Sequence, residues 1–270
     1  MNKKSPIVLT LFILLINFGC QKTIQLNLPT YEPKLVLEFY LQDNQPLVCL
    51  LQESVNYTDT TKVKLIDNAL IILSYNGVND TLFNRPYFDQ KFGKYYNYSN
   101  SKKIKLLPNI EYEVYVNNGK GKEMRGKTRI KDIVPIKNLT YKYDDSENVS
   151  AILVFEDNEK TADYYILAMF RNTPSIGTGV LRDARFNDIL FNGKQFNFNT
   201  GFSYGTGDTI TGRLYHLTEE HYNFAESVSN AQSANGNPFG QPANIISNVS
   251  GGLGIFTTLN YDEKVVIIQK

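Results

Sequence analysis

The sequence predicts an all-β protein of two β-sandwich domains, and three observations carry that reading. Short apolar runs alternate with polar residues at a period of two. Tyr and Phe are abundant, 18 and 16 residues, while Trp is absent, and aromatic side chains suit a pleated, half-buried surface. Gly, Asn, Asp and Pro clusters punctuate the runs. With 270 residues, the chain exceeds one small core and fits two domains of ordinary size.

The first twenty residues have a different texture. Lys3 and Lys4 precede an apolar core, Ile7–Ile16, and Gly19 stands before Cys20. About ten apolar residues make roughly 15 Å of helix, whereas a stable span takes about twenty residues. Residues 1–19 read as a signal peptide, and 20–33 as a tether. Gly19-Cys20 resembles the lipobox of bacterial lipoproteins, which implies lipid attachment at Cys20. An ordinary signal peptide and an uncleaved anchor are the alternatives. Three acyl chains on one residue would anchor stably.

The N-terminal sandwich is expected over 34–132. In "LVLEFYLQ", Leu35, Leu37, Phe39 and Leu41 form a wholly apolar face. Asn76-Gly77 and Asn118-Gly119 each separate two extended runs and supply the positive φ of a tight hairpin turn. Cys49, in "PLVCLLQ", reads as a buried strand thiol. "LLPNIEYEVYVNNGKGKE" resembles the E-to-F corner and F strand of fibronectin type III domains. That resemblance makes Tyr112 the corner tyrosine, its hydroxyl bonded back to the chain, with Val114 and Val116 also facing inward.

The C-terminal sandwich is expected over 133–270, after a break near Pro135. "NVSAILVFEDN" puts Val149, Ala151, Leu153 and Phe155 on one face, and "ADYYILAMFRN" follows. This pair resembles the B and C strands of another fibronectin-like domain, with Phe155 where such domains often hold Trp. Residues 172–207 read as an insertion with short strands. "TEEHYNFAESVSNAQSA" is a helix candidate over 218–233: Thr218 caps it, Glu219 and Glu220 face its positive end, and Tyr222, Ala225 and Val228 recur on one side. "KVVIIQK" closes the chain as a strand.

Composition narrows function. Loss of residues 1–19 removes two of 28 basic residues against 27 acidic ones, so no field draws in nucleic acid. His216 and His221 lack metal-site spacing. "GTGDTITG" and "GGLG" lack the strand–helix setting of phosphate loops and read as turns. "DDSEN" and "EDNEKTAD" lack the ligand spacing of a calcium loop and read as solvated turns. No catalytic, cofactor or metal residue emerges.

The stretch "NGNPFGQPANIISNVSGGLGIFTTLN", with Cys20, the "KLVLEFYL" strand and Asp163-Tyr164-Tyr165, resembles the Bacteroidetes lipoprotein family called domain of unknown function 4249. The resemblance covers essentially the whole chain after the signal peptide. It implies an outer-membrane lipoprotein, on the surface or periplasmic face, working beside a TonB-dependent transporter in nutrient uptake. The expected function is a non-catalytic accessory or ligand-capture partner of such a transporter, with a small molecule or glycan as ligand. A stand-alone carbohydrate-binding or adhesive module is the alternative. A hydrolase with paired carboxylates finds no support in any ordered pair. The segment 235–256 must be a shaped loop leading into a strand, given its glycines and prolines. It either plugs the open end of the sandwich or presents Asn237, Phe239 and Asn244 to a partner or ligand.

Overall fold

A computed structural model describes residues 32–55, 63–89, 93–173, 177–235 and 244–270. Cys20, Asn237 and Phe239 lie outside them. The strands are β1 Leu35–Gln42, β2 Gln45–Glu53, β3 Lys64–Leu65, β4 Leu70–Tyr75, β5 Val78–Asp89, β6 Lys94–Ile104, β7 Glu111–Asn117 and β8 Glu123–Arg129. They continue with β9 Ile136–Tyr143, β10 Val149–Glu156, β11 Tyr164–Thr173, β12 Gly177–Asn187, β13 Gln195–Tyr204 and β14 Thr209–Leu217. Helix α1, Glu219–Asn235, precedes β15 Val249–Ser250 and β16 Gly252–Ile267. The protein is predominantly β, and no helix among the described residues is long and apolar enough to cross a membrane.

Alternation builds the first core. Leu35, Leu37, Phe39 and Leu41 on β1 are buried against Leu47, Cys49 and Leu51 on β2, and against Ile71, Leu73, Tyr112, Val114 and Val116 across the sandwich. Burial raises the Cys49 thiol pKa far above its ordinary range. The two layers are one sheet folded over itself. β5 pairs with β4 through Val78–Leu82 and with β6 from Phe83 onward, turning the corner at a register shift between Asn84 and Tyr87. Pro86 sits inside that shift, where no ladder hydrogen bond is required of it. Tyr112 is fully buried, and its hydroxyl accepts the Leu107 N–H at 2.8 Å. Asn76 and Gly77 take φ of 45° and 75° and close β4–β5 as a two-residue turn. Asn118-Gly119 instead belongs to a five-residue connection, with the Asn118 N–H donating to the Lys122 carbonyl.

The second core sets β9, β10 and β13 against β11, β12 and β14. Val149, Ala151, Leu153 and Phe155 are fully buried, and Phe155 centres a cluster of Tyr165, Phe186, Phe191 and Phe196. Here 172–207 departs from the expected insertion. It supplies β12, paired along β11, and β13, paired along β10, so two long strands belong to the core itself. Their irregular spacing follows from bulges and from Gly201 at φ 74°.

The boundary expected at 133 falls between the two cores, yet they share a strand. β16 pairs parallel with β1 over Gly252–Leu259 and antiparallel with β14 over Asn260–Ile267. Phe256 therefore lies in the first core while Val266 packs against the second. Residues 33–270 form one compact unit. The parallel pairing needs very close backbones. A Cβ on Gly254, at φ 122°, would stand 1.9 Å from the Leu37 carbonyl oxygen, and one on Gly251 would stand 2.0 Å from that of Glu123. "GGLG" is thus a passage between strands.

Helix α1 begins as expected, with the His221 N–H donating to Thr218 Oγ1 and the Tyr222 N–H to the Thr218 carbonyl. Its buried stripe is His221, Phe224 and Ser227, one residue round from the expected Tyr222, Ala225 and Val228, which are half-buried. Docking on strand residues from both halves sets that rotation: His221 meets the Tyr40 ring at 5.6 Å, and Tyr222 meets Tyr164 at 4.9 Å.

A tyrosine-lined cleft as the candidate functional site

The face of β1 turned away from the core carries Glu38, Tyr40 and Gln42. Register brings β2 and β6 alongside it, so Val48 and Ser99 continue this floor. The β5–β6 ladder raises one wall, where Tyr87 lies opposite Tyr96 with rings 6.3 Å apart and nearly parallel. The junction strand raises the other wall with Tyr261 of β16, beside Arg213 of β14. Together they enclose a cleft of about 510 Å³, within the range of small-molecule sites. Because Arg213 and Tyr261 come from the second half and Tyr40, Tyr87 and Tyr96 from the first, the cleft exists only where the halves meet.

Its charges are largely matched internally. Lys94 Nζ lies 2.6 Å from Glu38 and over the Tyr40 and Tyr96 rings, at 4.9 and 5.7 Å. Arg213 pairs with Glu263 and stacks over Tyr261 and Phe170 at 4.9 and 4.8 Å. The hydroxyls of Tyr40 and Tyr96 have no hydrogen-bond partner among the described residues. Burial, reinforced by the Asp89 and Glu38 carboxylates, pushes the Tyr96 phenol up to about 12. Burial and Glu38 raise Tyr40 further. Both phenols thus keep their protons as neutral donors. A second groove, of about 490 Å³ beside β7, β8 and the start of α1, is lined by charges that already pair: Lys127 and Arg129 meet Glu111 at 2.7 and 3.2 Å.

A buried carboxylate cluster sits beneath the second core. Oxygens of Asp157, Asp163 and Asp188 lie within 4.8 Å of one another, although "EDNEKTAD" reads as a solvated turn. Packing against Tyr165 and His216 draws these acids inward, and protein donors occupy them. Tyr165 Oη and the Gly193 N–H donate to Asp157 at 2.6 and 2.9 Å. Thr161 Oγ1, His216 Nε2 and Lys131 Nζ donate to Asp163 at 2.6, 2.9 and 3.2 Å, and the Asp163 N–H donates to Asp188 at 2.8 Å. Burial opposes ionisation of Asp163, but the bonds from Thr161 and His216 outweigh it and hold its pKa below the ordinary value. His216 Nδ1 lies 2.8 Å from the Asp132 carbonyl oxygen, so one ring nitrogen ties β14 to the segment joining the cores and the other ties it to Asp163, immediately before β11. The cluster fastens the 188–194 turn, holding Ile189 and Leu190 outward at 77% and 91% exposure.

Of the sequence-derived surface Asn237, Phe239 and Asn244, the structure describes Asn244 alone, and it is exposed. Downstream of it Phe256 is fully buried in the first core against Phe39, ring centroids 5.3 Å apart, while Ile246 is 54% exposed. The sequence reading does not include the cleft tyrosines. A signal was present in "FNRPYFDQKFGKYYNYS", residues 83–99, where rings occupy both strand faces, more than one apolar face accounts for.

Residues 21–265 match the family described as Domain of unknown function (DUF4249). The chain belongs to that family. No curated protein matches the chain. Among solved structures, trypsin-activated alpha-2-macroglobulin from Escherichia coli is similar at 9% identity and TM-score 0.24, over 91% of this chain and 16% of that one. The chain thus spans about a sixth of that protein's length, and a likeness this distant carries no argument about this DUF4249 protein.

Proposed function

We propose that this DUF4249 protein is a non-catalytic outer-membrane lipoprotein, anchored through acylated Cys20, that captures a ligand for a TonB-dependent nutrient transporter. One observation carries the ligand-capture reading: a cleft built jointly by both halves and lined by Tyr40 and Tyr96, whose phenol hydroxyls have no hydrogen-bond partner among the described residues. The Gly19-Cys20 junction supports the anchor, and the resemblance of the whole chain to its family supports the partner. The fibronectin-like pedigree of the two cores belongs to the same reading, supported by the Tyr112 hydroxyl on the Leu107 N–H and by the facing of β9–β10–β13 on β11–β12–β14. The test is gentle detergent extraction of the native protein from membranes, followed by identification of what co-purifies. A transporter barrel is expected, and Cys20→Ser should move the protein out of the membrane fraction. Fatty acid on the Cys20→Ser variant would overturn the anchor, and repeated isolation without any barrel would overturn the partner. The second reading, a stand-alone carbohydrate-binding module, is favoured by the same ring-lined cleft and predicts sugar binding with no barrel attached.

A further inference from the structure

The cleft's chemistry narrows its ligand. An anion gains little there, because Arg213 is neutralised by Glu263 and Lys94 by Glu38, while Arg85 shares the lining with the opposite charge of Asp89. A cation finds the ring faces of Tyr40, Tyr96 and Tyr261 already taken by Lys94 and Arg213. A purely apolar ligand would bury the Tyr40 and Tyr96 hydroxyls without partners, which is costly. What remains is a neutral molecule with hydroxyls along its rim and an apolar face. Tyr87 is 47% exposed and offers its ring as a platform. Tyr40, Tyr96 and Gln42, each with a group that both donates and accepts, line the same space.

We propose that the cleft binds a neutral sugar ring, a pyranose unit of an oligosaccharide, with its C–H face on Tyr87 and its hydroxyls bonded to Tyr40, Tyr96 and Gln42. The inference rests on the ligand-capture reading and adds the ligand's class. Phenol and amide groups both donate and accept, which matches sugar hydroxyls. Recognition that is mostly neutral has a signature: affinity should barely respond to salt, because screening acts on charges.

The experiment is calorimetric titration of the detergent-solubilised full chain with maltotriose, cellotriose, xylotriose and N-acetylchitotriose, and with inorganic phosphate and glucose 6-phosphate as charged probes. At least one neutral trisaccharide should bind, with its Kd constant within about twofold between low and high salt. Tyr40→Phe and Tyr96→Phe should each weaken binding about tenfold by deleting one hydrogen bond, and Tyr87→Ala should weaken it at least as much. Melting temperatures of the Phe variants should match the parent's, since those hydroxyls have no hydrogen-bond partner among the described residues to lose. Binding of none of the neutral sugars, preference for the phosphates, or parental affinity in the Tyr40→Phe/Tyr96→Phe double variant would each overturn the proposal. Sugar binding without a co-purifying barrel would sink the transporter partnership alone. A barrel without sugar binding would sink the ligand assignment alone.

Discussion

Mild acid should destabilise the protein through a single histidine. His221 is 5% exposed, its ring lies against Tyr40, and its Nδ1 is buried without a hydrogen-bond partner among the described residues. Burial, with a smaller push from the Arg185 charge, lowers its pKa from 6.5 to about 4. Arg185 is itself paired with Glu226 at 2.8 Å, so burial dominates. Below the unfolded pKa the unfolded chain takes up a proton that the native ring refuses, and stability therefore falls as pH falls. At about 1.4 kcal/mol per pKa unit, the full difference is about 3 kcal/mol, reached below the native pKa, and about 2 kcal/mol is lost between pH 7.5 and pH 5. Urea unfolding followed by far-ultraviolet circular dichroism at intervals across that range measures it. His221→Phe keeps a ring against Tyr40 and removes the titration, so its stability should vary far less, whatever its absolute value. Equal pH slopes in parent and variant would refute the reasoning.

Three further outcomes follow from the same structure. Gly254→Ala forces a side chain into the Leu37 carbonyl at a φ of 122° and should cost at least about 3 kcal/mol in thermal or urea unfolding, whereas Gly205→Ala, with open space around it, should change stability by no more than about 0.5 kcal/mol. Tyr112→Phe strips the acceptor from the Leu107 N–H and should cost about 1 kcal/mol, measured the same way. Asp163→Asn weakens the bonds from Lys131, His216 and Thr161 and should cost about 3 kcal/mol near neutral pH. Because the native Asp163 pKa lies below its unfolded 3.8, that contribution is present above the unfolded value and lost as pH falls through the native one, so parent and variant should converge in strong acid.

What the sequence by itself determined depends on neighbours along the chain. The period-two faces of 35–41, 112–116 and 149–155, the Asn76-Gly77 turn and the Thr218 cap are each settled within a few residues, by pleat geometry, positive φ and unpaired helix N–H groups. The family, too, was legible in the "Asn-Pro-Phe" to "GGLG" stretch. Tertiary structure decided what depends on partners far away. β16 meets β1 with Gly252 opposite Leu35, and nothing within "GGLG" names the strand that its missing side chains admit. Bulges in β12 and β13 blur the alternation that would have marked 177–204 as core strands. Asp157 and Asp163 look solvated until Lys131, His216 and Tyr165 arrive from other strands to bond them. The cleft is the extreme case: its tyrosines sit on outward strand faces, where local pattern reads only a half-exposed ring. Register alone, set by burial on the opposite side of the sheet, gathers those rings from β1, β5, β6 and β16 into one place.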